Sequence, residues 1–236
     1  MRVAVQRKID QIVGTILCGI LSALYFPFAR RSIKSKPDKI LVILLSEMGS
    51  LVLSAPMFAQ LASKYAPASI YLLTFERNKE IAALQQLVPS DHIHTINDTS
   101  FLRFCVDCTC SLIRLRRQGI DTVIDCELFS RVSSLLSFFC GASIRVGFHR
   151  HKQEGLFRGN FLTRKVLYNP YNHISRQFLT LVAAIDSQSV PKAKSLEPGP
   201  VPGIERIHFS DDAVEKMRAR LKETYRYAAG KKMVLI

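Results

Sequence analysis

The sequence predicts a doubly wound α/β domain built on a parallel sheet, and three observations carry that expectation. Ile40–Leu45 is an unbroken apolar run, rich in β-branched residues and too short for a free-standing helix, the pattern of a strand buried on both faces. Ser46–Ser50 interrupts it with polar residues and one glycine, after which apolar residues resume at 51, 53, 57, 58 and 61, a helical face. Short apolar runs then alternate with helical stretches along the chain, which implies parallel strands joined by right-handed crossovers.

The first element precedes the sheet. Gln11 to Ala29 holds no charged residue over nineteen positions. As a helix rising about 1.5 Å per residue it approaches the roughly 30 Å of a bilayer's hydrocarbon core. Gly14, Gly19 and Pro27 weaken such a helix. No small-x-small cleavage site closes the run, and Arg30, Arg31, Lys34, Lys36 and Lys39 follow at once, a cluster that tends to stay cytoplasmic. The expectation for residues 1–38 is an uncleaved hydrophobic helix with a basic flank, associated with the membrane either as a span or as an interfacial helix.

Residues 39–190 form the domain proper. Ser69–Phe75 is a second strand and Lys79–Val88 its following helix. His92–Ile96 alternates as a short third strand does. Phe101–Gln118 is a basic helix with Gly119 at its C′ position. Asp121–Cys126 is another buried strand, Ser130–Cys140 a helix ended by Gly141, Ile144–Phe148 a strand and His173–Ile185 an apolar-faced helix. Pro191–Gly203 holds four prolines and two glycines and reads as a linker over 191–209. Ser210, Asp211 and Asp212 start a helix that Gly230 ends, and Lys231–Ile236 begins a fresh buried strand. That strand, with nothing after it, suggests the truncated start of a second domain over 210–236.

Charge narrows the function classes. The net charge is +14, and residues 1–39 carry eight Lys/Arg against two Asp, while residues 131–165 carry seven against one Glu. Two basic regions point to two anionic partners, a membrane surface and a negatively charged substrate. Nucleic acid is not expected, because no RRM signature, zinc-finger spacing or basic heptad helix is present. The six cysteines form no disulfide framework or finger spacing, and Cys105, Cys108 and Cys110 read as reduced thiols on or near a helix.

In doubly wound sheets ligands bind beyond the carboxyl ends of the strands. Ser46, Glu47, Gly49 and Ser50 occupy that place after the first strand, beside a helix N-terminus that favours anions. The plain structural alternative is that Ser46 caps the helix and Gly49 permits a turn. Glu47 is harder to assign to structure alone, since a carboxylate at the mouth of a buried strand is either solvated or functional.

The run from Lys39 to Pro56, Lys-Ile-Leu-Val-Ile-Leu-Leu-Ser-Glu-Met-Gly-Ser-Leu-Val-Leu-Ser-Ala-Pro, resembles the first strand-loop-helix of glycosyltransferase family 9, the heptosyltransferase family. Similar motifs follow in the same order: Ile-Asp-Thr-Val-Ile-Asp at 120–125, Ser-Arg at 130–131, Gly-Ala-Ser-Ile-Arg-Val-Gly-Phe at 141–148 and Asn-His-Ile-Ser at 172–175. The resemblance spans roughly residues 39–186. It implies a GT-B architecture, two Rossmann-like domains around a cleft, of which this chain looks like the N-terminal, acceptor-binding half. It further implies an inverting, metal-independent transfer from a nucleotide-sugar such as ADP-heptose to an anionic lipopolysaccharide or envelope glycan. The place implied is the cytoplasmic face of the inner membrane. No resident cofactor is expected, and a fragment lacking donor contacts is expected to be inactive alone.

One departure from the family matters. Its loop reads Ser-x-x-Gly-Asp, and that Asp is the candidate general base; here Ser50 stands in its place. A serine cannot take a proton at neutral pH without a base of its own, so Glu47, three residues earlier, is the expected catalytic residue. Charge supplies the remaining acceptor-binding candidates. Glu127, Ser130 and Arg131 follow the Asp121–Cys126 strand, and Arg145, His149, Arg150, His151 and Arg158 form a cationic loop suited to phosphate. His173 opens a helix in the last matching motif, where a cap or a core hydrogen bond is its structural alternative. His149 and His151 have no convergent carboxylate in the sequence, so no metal site is expected. An ordinary Rossmann oxidoreductase is disfavoured because Ser46–Ser50 lacks the Gly-x-Gly-x-x-Gly fingerprint. A non-catalytic Rossmann-like binding module at the membrane is the alternative function.

Overall fold

Strand β1 (Ile40–Ile43) is central because it can be buried on both sides. Ile40, Val42 and Leu44 turn to one face of the sheet, and Leu41, Ile43 and Leu45 to the other, as alternation along a strand requires. All six are at most 2% exposed. The computed structural model describes residues 8–25, 37–45, 47–149, 157–187 and 209–225. Among them β1, β2 (Ile70–Phe75), β3 (Ile93–Ile96), β4 (Thr122–Asp125), β5 (Ile144–Phe148) and β6 (Arg164–Val166) form one sheet in the order β3-β2-β1-β4-β5-β6. Every pairing is parallel. The chain winds outward from β1 through β2 to β3, then returns to pair β4 with the other edge of β1, Ile40 lying beside both Ile70 and Thr122. This is the Rossmann-like α/β arrangement that the sequence predicts. Its switch point lies between the carboxyl ends of β1 and β4, where such sheets open a crevice.

Both faces are covered, which is why the strands read as continuous apolar runs. One face carries α2 (Met48–Leu53), α3 (Ala55–Lys64), α4 (Lys79–Leu84) and α7 (Ile174–Ile185), through Leu51, Phe58, Leu61, Ala82, Phe178 and Leu181. The other carries α5 (Phe101–Gln118) and α6 (Arg131–Phe139), through Leu115 and Leu136. Ser100 and Ser130 cap α5 and α6, accepting from the Arg103 and Ser133 amides. Gly119 ends α5 at φ 74°, in the left-handed region where a side chain is strained.

Several elements differ from the sequence expectation. Gly49 makes no turn: it lies inside α2, exposed, with open space where a Cβ would go. The helix expected from Leu51 onward is two pieces broken at Ser54. Pro56 has no N–H to offer the carbonyl four residues back, and Ser54 turns its own hydroxyl onto the Leu51 carbonyl at 2.6 Å. Strand β6 has no counterpart in the sequence reading, because its Arg-Lys-Val is charged and short, as befits an edge strand.

The N-terminal run forms a π-helical turn, Asp10–Gly14, that continues into α1 (Thr15–Tyr25). No helix among the described residues is long and apolar enough to cross a membrane. Arg145 of β5 points to the α5–α6 side, opposite Ile144 and Val146, and its Nη2 donates to the Tyr25 hydroxyl at 2.8 Å. Helix α1 therefore covers β5 on that face, beside α6, with the Tyr25 ring edge-on to Phe138 at 5.2 Å.

The chain divides into two units, Met1–Ile204 and Glu205–Ile236. In the second, α8 (Asp211–Thr224) begins at Ser210, whose hydroxyl accepts from the Ala213 amide, with Asp211 and Asp212 in its first turn. The expected linker up to residue 208 and the expected strand Lys231–Ile236 lie outside the described residues.

Candidate functional site

The switch point is held by hydrogen bonds to the backbone of one residue, Leu45. The Leu45 amide donates to Glu127 Oε1 at 2.7 Å, and the Leu45 carbonyl accepts from Asn78 Nδ2 at 2.9 Å. Glu127 comes from beyond β4 and Asn78 from beyond β2, so segments following both neighbours of β1 grip Leu45, two residues past its end, just before the loop departs. Asn78 is 1% exposed. Ser46 lies outside the described residues. Glu47, two residues past Leu45, has extended backbone (φ −121°, ψ 121°) and precedes α2, its carbonyl accepting from the Leu51 amide at 3.1 Å. Its side chain does not cap the helix. The carboxylate is exposed and accepts a 3.3 Å hydrogen bond from the Ser50 hydroxyl. Glu47 and Ser50 thus form one polar unit at the carboxyl edge of the sheet. Since α2 has only six residues, its dipole adds little there.

Below Glu127 lies a buried ionic knot. Asp125, the last residue of β4, is 1% exposed and pairs with Arg158 Nη2. It also accepts from Ser133 Oγ at 3.1 Å and from the Glu127 amide at 3.1 Å. Arg158 spends its other donors on the same loop: Nε to the Ser130 carbonyl at 2.8 Å, Nη1 to the Glu127 carbonyl and Nη2 also to Ser133 Oγ at 2.8 Å. Burial outweighs the pull of Arg158 and pushes the Asp125 carboxyl up to about 6, and the nearby Glu127 charge adds to that rise. The result is a fixed frame, β4 to loop to residue 158, that sets where Glu127 reaches β1.

Several of the basic candidates face inward rather than toward a ligand. Arg131 is 6% exposed, and Asp10 accepts from its amide at 2.9 Å, from the Val132 amide at 2.9 Å and from its guanidinium at 3.4 Å. The anion-favouring N-terminus of α6 is therefore filled by a carboxylate of this chain's own N-terminal segment. Arg145, 5% exposed, donates to the Phe161 carbonyl at 2.6 Å, to the Ala142 carbonyl and to Tyr25. The cationic loop expected from the sequence is thus divided: Arg145 and Arg158 are internal braces, and Arg150 and His151 lie outside the described residues. His149 follows β5, its amide donating to the Val166 carbonyl at 2.8 Å. His173 caps α7, its Nδ1 accepting from the Ser175 amide at 3.3 Å, the structural alternative named for it.

A cavity of about 400 Å³ opens at the carboxyl end of β5, lined by Ser134, Phe148, His149, Phe157, Arg158 and Lys165 among others. Lys165 Nζ meets Asn160 Oδ1 at 2.8 Å on its rim. Glu47 is not among the lining residues. The site therefore has two parts on one edge of the sheet, a carboxylate at β1 and a polar, cationic hollow at β5, with the Asp125–Arg158 knot between them. The sequence reading grouped Glu127 and Ser130 with Arg131 and placed Arg158 in the cationic loop; in the structure Arg158 leaves that loop and donates to the Glu127 and Ser130 carbonyls. That reading missed Asn78, Asp125, Asp10 and Lys165. Asp125 could have been found by the argument used for Glu47, an acid at the end of a buried strand; the other three owe their roles to contacts with distant segments. Among the described residues no three of His, Cys, Asp and Glu are grouped so as to hold a metal ion.

No family model and no curated protein matches the sequence. Among solved structures the chain is similar to a family 9 glycosyl transferase from Veillonella parvula, with a TM-score of 0.56 at 13% identity over 86% of this chain and 53% of that one. It is also similar to the E. coli heptosyltransferase WaaC with ADP-2-deoxy-2-fluoro heptose, with a TM-score of 0.51 at 16% identity over 68% of this chain and 51% of that one. The same enzyme with ADP gives 0.50 at 17% identity over 65% and 48%. At such identities the likeness is one of fold, and the chain spans about half the length of these structures.

Proposed function

We propose that this chain is the acceptor-binding side of a heptosyltransferase-like glycosyltransferase, one that moves a sugar from a nucleotide-sugar such as ADP-heptose to an anionic glycolipid or envelope glycan. The observation that carries the reading is Glu47: an exposed carboxylate at the mouth of the central strand, two residues beyond Leu45, which is gripped from both sides. The fold likeness to solved glycosyltransferases supports it. A general base needs to be reachable by the substrate hydroxyl and held in place; Glu47 is exposed, and the Ser50 hydroxyl donates to its carboxylate at 3.3 Å. In the proposed reaction Glu47 takes the proton of the acceptor hydroxyl while its oxygen attacks the anomeric carbon of the donor. The bond to the nucleotide diphosphate breaks with its electrons leaving on phosphate, and the anomeric centre inverts. No step is assigned to a metal ion.

The acceptor's negative charge is assigned to the hollow at β5, where His149 and Lys165 stand on a chain of net charge +14. The donor is assigned to a second wall facing this edge, so the 236-residue chain by itself is expected to give no turnover. The proposed setting is the cytoplasmic face of the inner membrane, where nucleotide-sugars and a growing lipid-linked glycan meet. The test is Glu47→Gln in the enzyme that includes the donor-binding wall. Loss of a general base lowers kcat about 10²- to 10⁴-fold, with the melting temperature unchanged because the side chain is exposed. Unchanged turnover would remove Glu47 from the mechanism.

A further inference from the structure

Helix α1 is amphipathic in the wrong sense for a helix that packs on a protein core. Asp10 and Gly14 of the π-helical turn, with Cys18, Ser22 and Tyr25 of α1, turn inward. Asp10 caps α6, Gly14 lies against Arg131, Cys18 is fully buried, Ser22 Oγ accepts from the Asn160 amide at 2.8 Å and Tyr25 accepts from Arg145. Apart from Gln11, the outward side is aliphatic: Ile12 (61% exposed), Val13, Ile16 (57%), Leu17, Ile20 (53%) and Leu24 (64%). These recur at helical spacing along one side. A small, polar seam holds the helix to the domain along its whole length, and six aliphatic side chains are left facing solvent. Exposed aliphatic surface of this extent, in one continuous row, marks an interaction site.

We infer that α1 docks the protein onto an anionic membrane surface, lying flat with this row sunk into the headgroup–acyl boundary. Charge selects the partner. Residues 1–39 carry eight Lys/Arg against two Asp, on both sides of the apolar row in sequence, the composition of an interfacial helix that meets anionic lipid. A second copy of the chain would bring that excess of positive charge against itself. The inward seam sets the orientation: a helix fastened at Asp10, Gly14, Cys18, Ser22 and Tyr25 cannot leave the domain to cross a bilayer without abandoning the cap of α6. The same face of the sheet carries α5, whose outer side shows Leu102 (79% exposed), Val106 and Ile113 among exposed Arg103, Arg114 and Arg117. This inference does not depend on the proposed catalysis.

Flotation of the full chain with phosphatidylcholine vesicles, with and without phosphatidylglycerol, tests it. Binding is expected with the anionic vesicles and to fall more than tenfold without phosphatidylglycerol. The variant Ile16→Gln/Ile20→Gln replaces two exposed residues and so keeps the native melting curve. It is expected to bind about a hundredfold more weakly, roughly tenfold for each aliphatic group withheld from the interface. The sequence has no tryptophan, so Ile20→Trp supplies a single reporter, and brominated lipids are expected to quench it best when the bromine is shallow. Equal flotation of wild type and the double variant would overturn the inference, as would a wild-type chain that stays off the vesicles, whether monomeric or as a dimer that the double variant disperses. Binding indifferent to phosphatidylglycerol, or strongest quenching from the bilayer centre, would overturn it as well.

Discussion

Replacing Arg158 by methionine removes the only positive charge paired with Asp125 among the described residues, together with donors to the Ser130 and Glu127 carbonyls. Asp125 is 1% exposed, so water cannot take the guanidinium's place. Breaking a buried pair from one side costs about 3–5 kcal/mol, roughly a 2 M fall in the urea midpoint at an m-value of about 2 kcal/mol/M. The cost depends on pH, and its sign follows from Asp125. That carboxyl titrates near 6 in the fold against 3.8 ordinarily, so the folded chain holds its proton more tightly than the unfolded one. Its contribution is fully present below about pH 4 and is lost as the pH rises through about 6. The Arg158→Met penalty is therefore larger at pH 8, where Asp125 is charged, than at pH 5, where it can be neutral. Urea titrations of wild type, Arg158→Met, Asp125→Asn and the double variant at both pH values give the coupling directly. The double variant is expected to be at least about 1 kcal/mol more stable than the sum of the single losses predicts. A penalty below about 1 kcal/mol that is equal at pH 5 and 8 would refute the claim that this pair holds the loop beyond β4.

Asp10→Ala strips the acceptor from the first two amides of α6 and the partner from a buried arginine, and is expected to cost about 2 kcal/mol. Hydrogen exchange should rise in Thr15–Tyr25 before it rises in the sheet. Gly14→Leu places a Cβ 2.8 Å from that of Arg131; it is expected to displace α1 in the same assay while the sheet remains folded. Asn78→Ala leaves the buried Leu45 carbonyl without its donor and is expected to cost about 1–3 kcal/mol in chemical denaturation. In the transferase proposed above the same change is expected to lower kcat, because Leu45, from which the Glu47 loop departs, is then held from one side only.

The cysteines illustrate how far composition alone reaches. All six are unbridged in the described structure. Burial pushes the Cys18 thiol up to about 11 and that of Cys108 up to about 12, which keeps both as protonated, weakly reactive side chains.

Apart from the edge strand β6 and the break at Ser54, sheet and helices were legible in the residue pattern because that pattern is a local consequence of burial. Ile40–Leu45 announces a two-faced strand, Ser130 and Ser210 announce helix starts, and Gly119 announces a stop, each through chemistry within a few residues of itself. The place of Glu47 just beyond a buried strand was legible for the same reason, and it is this place, where doubly wound sheets bind ligands, that makes it a candidate. What the arginines do was decided elsewhere. Arg131, Arg145 and Arg158 look alike in sequence, and their roles depend on Asp10, Tyr25 and Asp125, which lie 121, 120 and 33 residues away. Helix α1 is the sharpest case: its hydrophobicity is a property of the sequence, but which side faces the domain is set by partners on α6 and β5 that only the folded chain brings within reach.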